Sequence, residues 1–299
     1  MVSLKCHIAQ ETLCFNKLPY LVSDLLLNHT VYQEPTAKLK KLKRYQYERY
    51  AVLCRLAYPS AMESMVEQLD KYVYQDVFDR WGRSTTRVLW KENKDEVIVV
   101  FRGSMNIFDW LVNLAFVPKK YVAEGYQYHV HWGYLQLLEQ LSCDPHRSKH
   151  QLTVYQRLES ILLPLIAQGK RISLTGHSSG GCMAVLVADR LERKYPKKVK
   201  RVVTFGQPAT GLWNFKKHYT LHRKTYRICC DLDVVTFLPP VPFMYWHVGR
   251  MLWLHDEKIY ENTPTWYRLS KSIVSWLLLP FTYHYMRKYI RNKDYFDEH

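Results

Sequence analysis

The chain has 299 residues, of which 47% are hydrophobic and 23% charged, with 11 glycines and 13 prolines. That mix excludes a disordered or fibrous chain and supplies enough apolar side chains for a sizeable core. Lys and Arg outnumber Asp and Glu by 43 to 27, a net charge of +16; such a field attracts anionic lipid surfaces or nucleic acid and says nothing of the fold.

Residues 1–37 show weak periodicity and no readable role. The first segment is interrupted by His7, Gln10, Glu11 and Asn16, so it lacks the apolar centre of a signal peptide. The densest charge lies at Lys38–Arg49, KLKKLKRYQYER, which reads first as a solvated helix face and second as a site of membrane attraction. A helix is expected over Arg44–Tyr58, because Tyr47, Tyr50, Ala51, Cys54 and Ala57 share one face and Pro59 stops it. Strands follow at Arg87–Trp90 and Val97–Phe101, joined by a turn at Asn93–Asp95. The second, VIVVF, is apolar at every position, as a strand covered on both faces must be.

Helical spacing returns at Tyr134–Leu141 and Val154–Ile166, with Pro164 expected to bend or end the latter. Ile172–Thr175 reads as a strand, Gly181–Arg193 as a helix, and Val202–Phe205 and Tyr226–Cys229 as two more strands. The alternation implies an α/β fold with a mostly parallel central sheet and helices on both faces. Catalytic groups in that architecture sit just after the C-terminal ends of strands. The longest apolar run, Ile273–Phe281, falls well short of the roughly 20 residues of a spanning helix. Seven cysteines without metal-ligand spacing, two of them adjacent at 229 and 230, favour reduced thiols and an internal or membrane-peripheral location.

The segment Gly176-His177-Ser178-Ser179-Gly180 stands between a strand and a helix, the context a GxSxG nucleophile elbow requires. So tight a turn strains the serine backbone and leaves no room for side chains two positions before and after it. Ser178 is thus the candidate nucleophile, held at the positive end of the following helix. A serine hydroxyl needs a base, and the base an orienting acid, in the chain order Ser, Asp or Glu, His. Asp231 and Asp233 both follow the strand at 226–229, and spacing alone does not choose between them. His247, His255, His284 and His299 follow as possible bases, with His247 and His284 the two that chemistry leaves open.

Several segments together resemble the class 3 lipases, the family of the filamentous-fungus triacylglycerol lipases. They are VVFRGSMNIFDWLVNLAFVP, VHWGYLQLLEQL, ISLTGHSSGGCMAVLVADRL, VVTFGQPATG, YRICCDLDVVTFLPP, YWHVGRMLWL and TYHYMRKY. The likeness spans roughly residues 97–290, with a weaker match in the helix at 44–58. It implies one α/β-hydrolase domain over 1–299, a lipase-like core at 44–290, and an extension of unknown role at 1–43. It places the acid five positions before the leucine of LPP, which is Asp233, and the base in a later short segment that His284 fits. The family often has an aspartate before that histidine, and this chain has Tyr283. Ser104 and Ser179 correspond to the oxyanion-hole residues, although the family often has leucine or methionine where Ser179 stands. Residues 105–114 match an amphipathic lid with Ile107, Trp110, Leu111 and Leu114 on its apolar face, and the aromatic stretch 237–253 is expected to line an acyl groove.

These readings imply a serine lipase or esterase cleaving acylglycerol or phospholipid esters through an acyl-enzyme. Neither metal nor organic cofactor is required, nucleic acid is not expected, and oligomeric state is not legible. The competing reading is an inactive hydrolase-fold module that binds lipid or protein.

Overall fold

The computed structural model describes residues 42–58, 69–104, 117–143, 151–240, 244–278 and 282–296. Helix α1, Arg44–Leu56, buries the predicted stripe of Tyr47, Tyr50, Ala51 and Cys54. A sheet then begins with three antiparallel strands, β1 (Val73–Phe78), β2 (Ser84–Trp90) and β3 (Glu96–Phe101). A separate hairpin of β4 (Pro118–Ala123) and β5 (Tyr126–His131) leads into α2 (Trp132–Glu139) and α3 (Val154–Ala167). Pro164 lies inside α3, three residues before its end, and removes the amide that would bond the Ser160 carbonyl, yet the helix continues to Ala167.

The parallel part of the sheet follows as β6 (Arg171–His177), α4 (Ser179–Lys194), β7 (Val199–Phe205), α5 (Trp213–His218), β8 (Thr225–Cys230) and β9 (Arg250–His255). An antiparallel edge strand, β10 (Lys258–Glu261), and two helices, α6 (Thr265–Leu278) and α7 (Met286–Arg291), complete the order. The strands lie β1-β2-β3-β6-β7-β8-β9-β10, parallel from β3 through β9.

The all-apolar β3 divides its side chains between two cores. Val97, Val99 and Phe101 pack with α2, α3 and α4, whereas Ile98 and Val100 pack with α1 and α7. Burying each such side chain contributes about 1.5–3 kcal/mol, which fixes the helices to opposite faces. The strands missed from the sequence, β1, β4, β5, β9 and β10, are edge or mixed-polarity segments, apart from β9. That strand carries part of the aromatic stretch expected to line an acyl groove. Met251 and Trp253 instead pack into a small core with Cys229 and Tyr260. Among the described residues no helix is long and apolar enough to cross a membrane, and Cys54, Cys143, Cys182, Cys229 and Cys230 are free thiols.

Parallel register brings the C-terminal ends of β3, β6, β7 and β8 to one edge. Phe101 pairs with Gly176, His177 with Phe205, and Phe205 with Ile228. Ser104, Ser178 and Asp233 follow the ends of β3, β6 and β8, while His284 comes later, after α6.

Candidate active site

Ser178 joins β6 to α4 with φ 58° and ψ −131°, a backbone region that non-glycine residues rarely occupy. Two hydrogen bonds hold the turn: its own amide donates to Phe205 O at 2.9 Å, and Gly181 N donates to Ser178 O at 2.9 Å. Gly176 and Gly180 are forced by close approach. A Cβ on Gly176 would strike the Gly180 backbone, and one on Gly180 would strike the backbone of Phe101 and Arg102. The elbow can therefore form only with glycine at both places. Ser178 stands as the N-cap of α4, where the helix dipole favours negative charge.

Asp233 and His284 meet although 50 residues intervene between them. His284 Nδ1 lies 3.1 and 3.0 Å from the two Asp233 carboxylate oxygens. The carboxylate is fully buried and also accepts from Val235 N at 3.0 Å and from the Tyr289 hydroxyl. Burial pushes its pKa up, but the charge of His284 and the hydrogen bonds from His284 and Tyr289 outweigh burial and hold it below the usual carboxylate value. An ionised partner keeps the proton of the neutral imidazole on Nδ1. Nε2 is then the basic nitrogen, and it is buried with no hydrogen-bond partner among the described residues. His284 packs against His177, ring centroids 4.4 Å apart, one residue from Ser178.

The alternatives take other places. Asp231, at φ 42°, faces His255 Nδ1 at 3.4 Å, and His255 stacks on Trp253. His247 bonds the Thr236 carbonyl through Nε2 at 3.0 Å. Burial, with Arg227 and Arg268 nearby, pushes the His247 pKa well below its ordinary value. His299 and the lid positions Ile107, Trp110, Leu111 and Leu114 lie outside the described residues.

Ser104 follows β3 and comes against the elbow. Its amide donates to the Ser179 hydroxyl at 3.1 Å, and the two hydroxyl oxygens lie 3.3 Å apart. A leucine or methionine at position 179 could not accept from that amide.

Three groups escaped the sequence reading. Tyr289, on α7, donates to Asp233. Tyr58 donates to His177 Nδ1 at 2.7 Å, and His177 Nε2 donates to the His284 carbonyl at 2.7 Å. The carbonyl can only accept, so His177 is the Nε2–H tautomer, and burial pushes its pKa down to about 3. Gly206, at φ 56°, lies under the Asp233–His284 pair. Of these, only the glycine directly after a predicted strand was a visible signal.

A strained elbow serine, a buried Asp–His pair and two facing serines thus gather at the strand ends of a mixed sheet, on an α/β-hydrolase fold. Residues 98–243 match the sequence profile of the class 3 lipases. It is 28% identical over 198 residues to a lipase of Rhizomucor miehei, covering 64% of this chain and 50% of that protein. It is 27% identical over 164 residues to a secreted mono- and diacylglycerol lipase of Fusarium solani, covering 54% and 44%. The chain thus spans about half the length of these curated relatives. In fold it is similar to the Rhizomucor miehei lipase–propeptide complex, with TM-score 0.60, 19% identity and 91% of each chain covered.

Proposed function

We propose that this chain is a serine esterase of lipids, with Ser178 as nucleophile, His284 as general base and Asp233 as the acid that orients it. The observation that carries the reading is the buried Asp233–His284 pair, whose Nε2 has no partner among the described residues and whose imidazole packs on His177, the residue before the strained elbow serine. In the reaction His284 Nε2 takes the Ser178 proton as the oxygen attacks an ester carbonyl. The tetrahedral oxyanion collects hydrogen bonds from the Ser104 and Ser179 amides and a hydroxyl. Collapse expels the alcohol, protonated by His284, and leaves an acyl-serine. Water, deprotonated by the same imidazole, then releases the carboxylic acid. Asp233 stabilises the imidazolium that forms in each half.

The substrate class we favour is acylglycerols, with phospholipids as the finer alternative that the +16 charge supports. Contact with an anionic lipid surface fits the same charge. It also fits Trp213, 53% exposed, whose ring meets Trp246 with Lys216 placed over both. The test compares wild type with Ser178→Ala. Wild type labels with an active-site fluorophosphonate and hydrolyses esters of increasing chain length, faster in the presence of liposomes, whereas the variant does neither. Equal labelling of the two would remove Ser178 from the role, and a wild type inert toward every ester would favour the binding-module reading.

A further inference from the structure

The sheet has a second charged end that the esterase reading does not use. Opposite the elbow, at the N-terminal ends of β7 and β8, a cavity of about 320 Å³ is lined by Lys43, Lys200, Arg201, Arg223, Lys224 and Tyr226, with Gln46. Five cations share one small hollow. Two have carboxylate partners: Lys200 lies 3.3 Å from Glu96, and Lys224 3.3 Å from Glu192. Glu96 is itself divided, since Arg49 approaches it at 3.2 Å. Lys43, Arg201 and Arg223 have no carboxylate partner among the described residues. Arg201 bonds only the neutral Gln46 amide oxygen and lies over the Tyr226 ring at 6.0 Å.

The backbone adds to the imbalance. Lys43 and Gln46 are the N-cap and third residue of α1, whose first turn contains no acid. A helix N-terminus carries about half a positive charge and favours anions, so cations gathered there repel both each other and the helix. The pocket is also where the densest basic run of the sequence enters the described structure, at Lys43. Such a surplus is stabilised by a bound anion and disfavoured without one.

We propose that this pocket binds a phosphorylated polyol carrying two or more phosphate groups, the chemistry shared by soluble inositol phosphates and phosphoinositide head groups. Arg201 and Arg223 supply planar forks suited to phosphate oxygens, and the lysines supply point charges. The volume lies at the lower end of the roughly 300–1,000 Å³ of small-molecule sites, which suits a phosphorylated ring. Position separates the site from catalysis: β7 runs from Lys200 and Arg201 to Phe205, whose carbonyl holds the elbow, a distance of about 13–17 Å.

The test measures binding by calorimetry, independently of hydrolysis, with inositol hexakisphosphate, inorganic phosphate, and vesicles of phosphatidylcholine with or without phosphatidylinositol 4,5-bisphosphate. Variants are Arg201→Gln, Arg223→Gln, and a charge-matched control, Lys120→Gln on β4. Inositol hexakisphosphate is expected to bind more tightly than inorganic phosphate. Each arginine variant should weaken it about tenfold, and the control less than twofold. Vesicle binding displaced by the soluble compound assigns the site to a head group, and soluble binding alone assigns it to a free ester. Absence of binding in every arm, or equal weakening by the control, overturns the proposal. Ester turnover in the arginine variants should stay at the wild-type level, so a wild type without esterase activity leaves this test intact.

Discussion

Gly206 and His284 are in contact through the one hydrogen that a larger residue would replace. A Cβ at position 206 would lie 2.9 Å from His284 Nδ1 and 2.7 Å from Asp233 Oδ2. The residue also holds φ 56°, where side chains are strained. Gly206→Ala should therefore wedge the acid from the imidazole while leaving the sheet in place. A displacement of this size costs on the order of 100-fold in turnover. The check is kcat by ester hydrolysis beside the far-UV spectrum and Tm; a variant within threefold of wild type would mean the pair does not set the rate.

Tyr58 reaches the same imidazole indirectly. Its hydroxyl fixes the His177 tautomer, and His177 holds the His284 carbonyl. Removing one hydroxyl by Tyr58→Phe should free His177 to change tautomer and loosen the base. We expect kcat to fall about tenfold with KM within twofold, since such an interaction is worth about 1–1.5 kcal/mol. A changed KM with constant kcat would place Tyr58 in substrate binding instead. Histidine nitrogen shifts by NMR report the tautomer directly.

The corner proposed as the oxyanion hole holds a contact that a leucine-type elbow lacks, the Ser104 amide on the Ser179 hydroxyl. Ser104→Ala removes a hydroxyl donor and should lower kcat by about 100-fold, in line with losing one donor at such a site. Ser179→Ala keeps its backbone amide and removes only the resting partner, so turnover should stay within about tenfold of wild type. If Ser179→Ala falls as far as Ser104→Ala, the Ser179 hydroxyl itself stabilises the transition state. Steady-state kinetics on one soluble ester distinguish the cases.

His284 and His247 separate by what each loses on truncation. His284→Ala should remove at least 10³-fold of kcat, because the base and nucleophile act as a unit. His247 bonds a carbonyl near Arg227 and Arg268, away from Asp233. His247→Ala should leave a small buried gap and lower stability by about 1–3 kcal/mol while activity per folded molecule persists. Fluorophosphonate labelling at 15 °C, beside thermal melts, gives both quantities, and the reverse pattern would exchange the assignments.

What the sequence displayed follows from where its signals are local. The elbow is a local event, strand then glycine turn then helix, and its boundaries fell within two residues of β6 and α4. The strand VIVVF announced its two-sided burial by composition alone. Asp233 and Asp231 were indistinguishable by spacing because both follow β8. The family resemblance chose Asp233, and the fold turns Asp233 toward His284 and Asp231 toward His255. Tyr58, Tyr289 and Gly206 act across distances in the chain that no periodicity encodes. β9 was not read as a strand, because its one aromatic, Trp253, carries the same signal whether it lines a groove or fills a core.

Buried imidazoles set the acid response of the fold: His247, His177 and His131. Burial pushes the pKa of His177 down to about 3 and that of His131 to about 4, against about 6.5 in an unfolded chain. From pH 6.5 down toward 4 the unfolded chain binds both protons and the native state binds neither, so stability is present above 6.5 and is lost as pH falls. Each histidine contributes a slope of up to about 1.4 kcal/mol per pH unit. Asp233, with its pKa lowered, also loses its contribution on acidification, but only below the ordinary carboxylate range, beneath this window. Urea unfolding at pH 7, 6 and 5 should therefore show falling stability, and His177→Gln should flatten the slope by about one proton. An unchanged slope in that variant would show that His177 takes up its proton without unfolding the chain.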